Sequence, residues 1–304
     1  MTAVTIMIPT RGRPASLARA VRSVFAQTVL DSAELVAVDN DPSGSAAETV
    51  RGLSQGAPLP VIYVHEPEPG VANARNAGMA RATGALIAFL DDDEEAAADW
   101  LERLLDAQAR FVADAVFGPV RTRLPDDVTR HRAYFERFFA REGPAETGVV
   151  NRHWGCGNSL VRRAAMPDPH RPFSPERNRI GGEDDLLFGR MGDAGARFVW
   201  AADAVVWEHP EPNRITLGYT LKRAFAYGQG PCAASAAARP ARWHGVAFWM
   251  AVGAAQSALY GAEALIKLLT RRADRVFAFH RLAGSLGKIF WWGPFKVGFY
   301  GGAT

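Results

Sequence analysis

The chain has 304 residues, of which 48% are hydrophobic, and carries a formal net charge of +3. This length and composition allow a sizeable core, as one large domain with an appendage or as two domains. Two cysteines, Cys156 and Cys232, are too few for a disulfide scaffold or a zinc ribbon.

Short runs of β-forming residues alternate with helical stretches over the first 90 residues. The predicted strands are 4–8, 34–38, 61–64 and 85–90, and the predicted helices are 14–27, 46–53 and 71–82. This alternation is typical of an α/β domain with a mainly parallel sheet. The first apolar run is too short for a signal peptide and is followed, not preceded, by arginines, which predicts a cytosolic body.

The pattern loosens after residue 113. We predict strands at 115–123 and 197–207, a glycine-bracketed turn leading into a strand at 155–161, and helices at 96–111, 131–141 and 183–192. The Ala-rich stretch 233–242 is the best linker candidate. The predicted domains are therefore 1–230 and a helical C-terminal region, 231–304.

The acids Asp91, Asp92, Asp93 and Glu94 follow the predicted strand 85–90 in succession. Adjacent carboxylates disfavour one another's charged form, so such a cluster usually needs a cation. Oxygen ligands suit Mg²⁺ or Mn²⁺. The alternative is an acidic first turn of the next helix, which suits Glu94 and Glu95 better than three aspartates.

Other polar residues follow the neighbouring strands. They are Pro9, Thr10, Arg11 and Arg13 after the first strand, Asp39, Asn40 and Asp41 after the second, and 66–70 after the third. Ligands of parallel α/β sheets bind outside the carboxyl ends of the strands. Because arginines clamp phosphates and carboxylates accept hydrogen bonds from a base or ribose, these are the parts of a nucleoside-diphosphate site.

Four segments together resemble the family 2 glycosyltransferases, which are inverting, nucleotide-sugar-dependent enzymes of the GT-A fold. The segments are 5–13, 35–41, 70–78 leading to 89–94, and 181–187, and the resemblance spans roughly residues 4–230. It implies a Rossmann-like, mainly parallel sheet flanked by helices. The C-terminal region would be a helical appendage.

The resemblance also implies roles for individual residues. Asp39 would bind the nucleobase, Pro9, Thr10 and Arg11 would line the same pocket, Arg75 would approach the nucleotide, Asp91 would face the ribose or the metal shell, and Asp93 would ligate the metal that bridges the diphosphate. Asp92 could replace either neighbouring aspartate. The alternatives are a turn residue for Asp39 and a solvated helix face for Arg75.

A second acidic group, Glu183, Asp184 and Asp185, follows Gly181-Gly182 and precedes an apolar helix. Inverting transfer needs a carboxylate that takes the proton from the acceptor hydroxyl. The resemblance implies that this base is Asp184. The residues alone do not distinguish it from its two neighbours, and plain capping of the helix is the alternative for all three.

Several further residues have weaker support. Trp154 could stack on a sugar or pack in the core, and the adjacent segment 155–159 would face the acceptor by resemblance. His209 could ligate the metal or diphosphate, or serve as an ordinary loop histidine. Arg214 and Arg223 could reach the diphosphate or form surface ion pairs.

The C-terminal region is basic and aromatic. From Glu211 onward there are 12 Lys and Arg against 3 Asp and Glu, whereas the preceding chain has 23 against 29. The run 245–255 is apolar, but Gln256, Tyr260, Glu263, Lys267 and Arg271 then form a polar stripe, which disfavours a simple transmembrane helix. Aromatic residues among cations in 276–300, including Phe299 and Tyr300, favour in-plane or re-entrant attachment to an anionic membrane. A dimerisation surface and ordinary helical packing are the alternatives.

These patterns predict a metal-dependent glycosyltransferase at the cytosolic face of a membrane, using Mn²⁺ or Mg²⁺ and a nucleotide-sugar donor. The acceptor would be a saccharide hydroxyl, with a polyprenyl-diphosphate-linked oligosaccharide of exopolysaccharide assembly as the favoured form. No feature indicates a nucleic-acid partner. The alternatives are a dehalogenase-like phosphatase, a nucleotidyltransferase, and a nucleotide-sugar binding or scaffold protein without turnover.

Overall fold

The computed structural model describes residues 3–179 and 181–297. The chain divides into two compact units: an N-terminal unit of Met1–Arg123 and Phe139–His209, and a C-terminal unit of Leu124–Phe138 and Pro210–Thr304. The predicted boundary at residue 230 lies inside a helix of the second unit. Phe299 and Tyr300, which the sequence assigns to a membrane-facing tail, lie outside the described residues.

The described residues form eleven strands and nine α-helices. The strands are β1 (Val4–Thr10), β2 (Ala33–Asp39), β3 (Val61–His65), β4 (Leu86–Phe89), β5 (Glu94–Ala96), β6 (Ala115–Phe117), β7 (Val120–Thr122), β8 (Gly148–Val150), β9 (Ser159–Arg162), β10 (Phe198–Trp200) and β11 (Val206–Glu208). The helices are α1 (Pro14–Phe25), α2 (Ala47–Ser54), α3 (Val71–Arg81), α4 (Trp100–Phe111), α5 (Arg132–Phe139), α6 (Glu183–Asp193), α7 (Leu217–Ala237), α8 (Trp243–Leu269) and α9 (Arg275–Ile289).

The main sheet has the order β3-β2-β1-β4-β9-β6-β10-β8. Strands β1 to β4 are mutually parallel, as are β6 and β10, whereas β9 and β8 run antiparallel to their neighbours. The expected mainly parallel α/β sheet is therefore confirmed. Thr10, Asp39 and Phe89 end their strands at one edge, and Ser159 starts β9 opposite Phe89. The site residues converge at this edge.

Alternating apolar residues cover both faces of the sheet, as a buried parallel sheet requires. Ile6, Ile8 and Leu35 belong to a core cluster that includes residues of α1, α2 and α4. Met7 and Val36 belong to a second cluster with residues of α3 and α6. Because the central strands β1, β2 and β4 are buried on both sides, packing holds their ends in place relative to one another.

A second, three-stranded sheet of order β5-β11-β7 corrects three sequence predictions. The segments 115–123 and 197–207 are not single strands, because each is divided between the two sheets. The Asn158 side chain donates to the carbonyls of Pro119 and Ala204, where the two segments leave the main sheet, at 2.8 Å each. The helix predicted at 96–111 begins only at Trp100, since Glu94 and Glu95 pair with β11 as a strand rather than forming a helical first turn.

The C-terminal unit contains α7, α8 and α9, which pack against one another, together with most of α5. The predicted linker 233–242 is wrong over its first half, because 233–237 continue α7. Among the described residues, no helix is both long and apolar enough to cross a membrane.

Candidate functional site

Asp92 is the inward-facing member of the aspartate run. Its carboxylate accepts a hydrogen bond from the Thr10 hydroxyl at 2.6 Å and pairs with an Arg13 nitrogen at 2.6 Å, and its side chain is 1% exposed. Burial raises the pKa of Asp92 to about 7, although Arg13 acts in the opposite direction. Asp92 therefore ties the end of β4 to the loop after β1.

Asp91 lies on the other side of this backbone, where 33% of its side chain is exposed. Its backbone N–H donates to Glu94 Oε2 at 3.0 Å, and Glu94 Oε1 pairs with Arg141 Nη2 at 2.7 Å. Burial raises the pKa of Glu94, as does Asp91, whereas Arg141 lowers it. The pair between the buried Glu94 and the partly buried Arg141 thus supports the turn that presents Asp91.

Asp93 lies between the two sheets. Its carboxylate contacts Arg13 Nη1 at 3.2 Å, and its backbone carbonyl accepts from the N–H of His209 at 2.8 Å. The His209 ring is 2.8 Å from Glu95 Oε2. Burial and the nearby Arg19 lower the pKa of His209, which favours the neutral ring. His209 is therefore next to the aspartate run in space, but its role as a ligand stays a prediction.

The aspartate run fits a metal that shares its ligands with a substrate. Across residues 3–179 and 181–297, no three His, Cys, Asp or Glu side chains form a group that could hold an ion alone. Mg²⁺ and similar ions are often held by one or two carboxylates, with substrate phosphates and water completing the shell. Asp91 and Asp93 supply such oxygen atoms at the expected strand end, although Asp93 also contacts Arg13. Asp92 differs because both of its carboxylate oxygens are engaged, one by Thr10 and one by Arg13.

The predicted nucleotide pocket is built around buried hydrogen bonds. Asp39 is fully buried and accepts from the backbone N–H groups of Asp41 and Ala46 and from the Tyr63 hydroxyl. Asn40 donates to the carbonyls of residues 66 and 68 and accepts from the N–H of residue 70. Asp39 therefore orders the turn after β2, and its contact with a nucleobase stays a prediction.

Pro9 and Thr10 form the last two residues of β1, beside that turn. Arg11 follows them and is exposed. Gly12 has φ +65°, and a Cβ there would lie 3.9 Å from Asp41 Oδ2. The loop after β1 and the turn after β2 thus lie side by side, as a pocket lined by both segments requires.

Arg75 is buried, not solvated, and joins the two acidic groups. One terminal nitrogen pairs with Glu183 and the other lies 3.4 Å from Asp91 Oδ1. Burial opposes its charge, but the surrounding acidic groups keep the pKa of Arg75 above its ordinary value. Burial raises the pKa of Glu183, and Arg75 opposes that shift. The alternative of a solvated helix face for Arg75 is wrong.

Asp184 lies in the first turn of α6, next to the glycine-rich segment before β9. Its Oδ2 accepts from the Cys156 N–H at 3.2 Å, and a Cβ on Gly155 would lie 2.9 Å from the same oxygen. A Cβ on Gly157 would lie 2.5 Å from Asp91 Oδ2. The Gly155–Gly157 segment therefore touches both acidic groups, and its glycines allow the approach.

The remaining candidates are less closely tied to this site. Trp154 packs 4.5 Å from the Trp200 ring and 4.3 Å from the Arg152 guanidinium, and its stacking on a sugar stays a prediction. Arg214 belongs to the C-terminal unit and stacks on Tyr219 at 5.8 Å. Its contact with a diphosphate stays a prediction.

Sequence reasoning missed Arg141, assigned no role to Asn158, and placed Arg13 only among the residues that could clamp a phosphate. Arg141 reaches Glu94 through a bridge to Val120. Its position at the end of a predicted helix gives no indication of this role. The pairing of Arg13 with Asp92 and Asp93 could have been predicted, because an arginine just after the first strand shares an edge with the aspartates.

Comparison with known proteins independently supports the resemblance to the family 2 glycosyltransferases. Residues 5–168 match the family model described as glycosyl transferase family 2. The succinoglycan biosynthesis protein ExoM of Rhizobium meliloti (strain 1021) is 35% identical over 228 residues, which cover 74% of this chain and 73% of that protein. Glycosyltransferase AglE of Haloferax volcanii is 27% identical over 230 residues, which cover 75% of this chain and 72% of that protein.

A solved structure shares the fold over nearly the whole chain. The mannosyltransferase PcManGT from Pyrobaculum calidifontis, in complex with GDP-Man and Mn²⁺, superposes with a TM-score of 0.61 at 20% identity. The match covers 95% of this chain and 87% of that one. With a family match over more than half of its length and a GT-A architecture, this chain belongs to glycosyl transferase family 2.

Proposed function

We propose that the protein is an inverting glycosyltransferase that moves a sugar from a nucleoside-diphosphate sugar to a hydroxyl of a lipid-linked saccharide during polysaccharide biosynthesis. The main support is the Gly155–Gly157 segment, which touches Asp91 at one end and Asp184 at the other. A donor diphosphate at Asp91 and a base at Asp184 would then lie on either side of this three-residue segment. Inverting transfer requires this proximity, because the acceptor attacks opposite the leaving group.

The proposed base acts on the acceptor. Asp184 takes the proton of the acceptor hydroxyl, the oxygen forms a bond to the anomeric carbon, and the bond from that carbon to the diphosphate breaks. The first turn of α6 favours an anion at this position. Arg75 pairs with both Glu183 and Asp91, and would therefore hold the start of α6 and Asp91 in fixed positions relative to each other.

A divalent metal is part of this proposal. Asp91 and Asp93 would hold Mn²⁺ or Mg²⁺, which would neutralise charge on the departing diphosphate. The structural neighbour described with GDP-Man and Mn²⁺ supports both the metal and a nucleotide-sugar donor. Another structural neighbour, S. aureus TarS 1-349 in complex with UDP, superposes with a TM-score of 0.51 at 15% identity. Its bound UDP supports a nucleoside diphosphate as the leaving part of the donor.

The relatives also support the acceptor class. ExoM is described as a succinoglycan biosynthesis protein, which favours a growing polysaccharide as acceptor. A more distant relative, which is 30% identical over 188 residues, is described as a glucosyl-dolichyl phosphate glucuronosyltransferase, and its name favours a lipid-linked acceptor. The base and sugar of the donor, and the linkage formed, are left open in this proposal.

Substitution of Asp184 tests the assignment of the base. We expect Asp184→Asn to lower kcat by about a hundredfold or more, because an amide cannot take the proton. The amide oxygen can still accept the hydrogen bond from the Cys156 N–H, so the local structure should be kept. Donor affinity should be nearly unchanged. The measurement is sugar transfer from a panel of nucleotide sugars to a lipid-linked saccharide, with donor binding followed by calorimetry.

The matched control is Asp185→Asn, one residue along the same helix turn, where the side chain is 75% exposed. That variant should retain most of the activity. Equal losses in both variants would contradict the assignment. Donor binding without transfer or hydrolysis in the wild-type protein would instead favour a nucleotide-sugar binding protein without turnover.

A further inference from the structure

Helix α8 has its polar and apolar faces reversed relative to a helix of a water-soluble protein. The polar stripe that the sequence shows along this helix faces α9. Gln256 Oε1 accepts from Lys288 Nζ at 3.0 Å, and the Ser257 hydroxyl donates to Ser285 at 2.9 Å. The opposite face of α8, which points away from α9, carries none of these polar groups.

Three ion pairs continue this polar contact: one joins α8 to α9, one lies within α8, and one joins α8 to Asp274, just before α9. Glu263 pairs with Arg281 and, at 2.9 Å, with Lys267. Lys267 also lies 2.7 Å from Asp274. The polar side chains of Gln256, Ser257, Glu263 and Lys267 are therefore engaged within the unit. The Arg281 guanidinium lies over the ring of Tyr260.

Small residues bring the three long helices of this unit close together. A Cβ on Gly228 of α7 would lie 2.0 Å from the carbonyl oxygen of Gly284 on α9. A Cβ on Gly253 of α8 would lie 2.8 Å from the Lys288 Cβ. Close packing through small residues, with hydrogen bonds between helices, is typical of helices that pack in lipid.

The outer face of α8 is continuous and apolar. Between residues 245 and 269, the exposed positions are Ala247, Phe248, Ala251, Ala254, Ala255, Ala258, Leu259, Ala262, Leu265, Ile266, Leu268 and Leu269. Phe248 is 61% exposed and Leu259 is 64% exposed. The helix has 27 residues, so this face is about 40 Å long. An apolar face of this length is not expected to be left in water.

Exposed cations lie at both ends of this face. Arg239 and Arg242 precede the helix, and Arg271 and Arg272 follow it. Trp243, at the first helical position, is 65% exposed. From these contacts, we propose that the outer face of α8 lies in the plane of an anionic lipid membrane, with its apolar side chains below the headgroups and its terminal arginines among them.

The charge distribution favours lipid over a second copy of the chain. Both ends of α8 are cationic, so two copies paired through this face would bring arginines together in either a parallel or an antiparallel arrangement. An anionic bilayer instead pairs with both ends at once. The inference goes beyond the transfer reaction and does not depend on it.

A fluorescent probe on the outer face tests the inference with little change to the fold. Leu259→Cys is labelled with nitrobenzoxadiazole in the full chain, since Cys156 and Cys232 are buried. We expect blue-shifted, stronger emission on vesicles of phosphatidylcholine with phosphatidylglycerol, and no change at the control position Val149→Cys. Val149 is 60% exposed in the N-terminal unit. An unchanged Leu259 probe would overturn the inference.

Flotation with vesicles tests the two parts of the face separately. Leu259→Glu should abolish flotation, whereas Val149→Glu should leave it unchanged. Arg242→Gln combined with Arg271→Gln, one at each end, should weaken binding to anionic vesicles roughly thirtyfold. Equal binding to pure phosphatidylcholine would contradict the role of the arginines. A dimer in analytical ultracentrifugation that Leu259→Glu dissociates, without vesicle binding, would assign the face to a second copy instead.

Discussion

The aspartate run shows what sequence can and cannot predict about single residues. Three aspartates after a buried strand predict an acidic cluster at the sheet edge, and the structure has one there. Which aspartate faces inward is decided by Thr10 and Arg13, about eighty residues away in the chain, which bind Asp92. No local pattern carries that information. The exposed side chain, Asp91, is the one left beside Arg75 and the glycine-rich segment.

Gly157 gives a prediction at the level of one atom. A Cβ at this residue would lie 2.5 Å from Asp91 Oδ2 and 2.8 Å from Arg141 Nη2. Gly157→Ala should therefore displace Asp91, and small misplacements of positioning groups can cost up to about a hundredfold in rate. We expect kcat/KM for the donor to fall at least about tenfold, as measured by initial rates of sugar transfer.

Gly148→Ala is the matched control for this substitution. A Cβ on Gly148 has no neighbour within 4 Å, so the same added methyl group should leave kcat/KM unchanged. If the two alanine variants had equal activity, close approach of the glycine to Asp91 would not be needed for transfer.

At the scale of elements, alternation of strands and helices predicts the first four strands and three helices within a few residues. It fails in the region of 94–96, 115–122 and 198–208, where five short strands are shared between two sheets. The reason is tertiary. Asn158, from the loop before β9, hydrogen-bonds the carbonyls of Pro119 and Ala204, where the chain leaves one sheet for the other. Strand propensity alone does not show such a crossing point.

Helices α3 and α6 are coupled through the buried pair of Arg75 and Glu183. Removing one partner of a buried ion pair typically costs about 3–5 kcal/mol, because the other charge is left unpaired. We expect Arg75→Met to destabilise the protein by an amount in this range, and the double variant Arg75→Met with Glu183→Met to be less destabilised than the two single variants together. Urea unfolding of the four proteins gives the coupling free energy.

An exposed pair provides the reference for that cycle. Arg103 and Asp99 form an i,i+4 pair at 2.9 Å, with side chains that are 49% and 40% exposed. Their coupling should be much smaller than that of a buried pair, because solvent screens exposed charges. Coupling between Arg75 and Glu183 no larger than this reference would mean that the buried pair does not fasten α3 to α6.

Two glycines of α7 should respond in opposite directions to the same substitution. Gly228→Ala places a methyl group against the Gly284 carbonyl and should destabilise the packing of α7 on α9 by about 1–3 kcal/mol. Gly218→Ala, in the first turn of the same helix, meets no neighbour within 4 Å and should stabilise the helix by up to about 1 kcal/mol. Thermal unfolding followed by circular dichroism measures both. A stabilising Gly228→Ala would contradict the close contact.

At the scale of the whole molecule, the sequence separates an acidic body from a basic, aromatic tail but does not show how that tail folds. Polar residues at helical spacing along α8 would ordinarily indicate a face in water. Here they meet partners on α9, so the apolar face is outside. The polar residues of α8 face inward only because α9 supplies their partners. The sequence of α8 alone does not show that it packs against α9.

Binding of a nucleoside diphosphate with Mn²⁺ should stabilise the N-terminal unit, because the ligand binds only when the strand ends that form the site are folded. At a hundredfold excess over Kd, a ligand adds about 2.7 kcal/mol to the free energy of unfolding. We therefore expect UDP or GDP with Mn²⁺ to raise Tm in a thermal-shift assay, and EDTA to remove much of that increase, since Asp91 and Asp93 would hold the metal that offsets the charge of the diphosphate.

Asp93→Asn separates the metal from the rest of the donor site. It should abolish the Mn²⁺-dependent part of the Tm increase, whereas Asp106→Asn, the same charge change at an exposed position of α4, should preserve it. No Tm increase with any nucleoside diphosphate would contradict the donor site itself. If Asp93→Asn leaves the Mn²⁺-dependent increase intact, the metal would be assigned to Asp91 alone. Asp92 cannot take the place of Asp93 without breaking its contacts with Thr10 and Arg13.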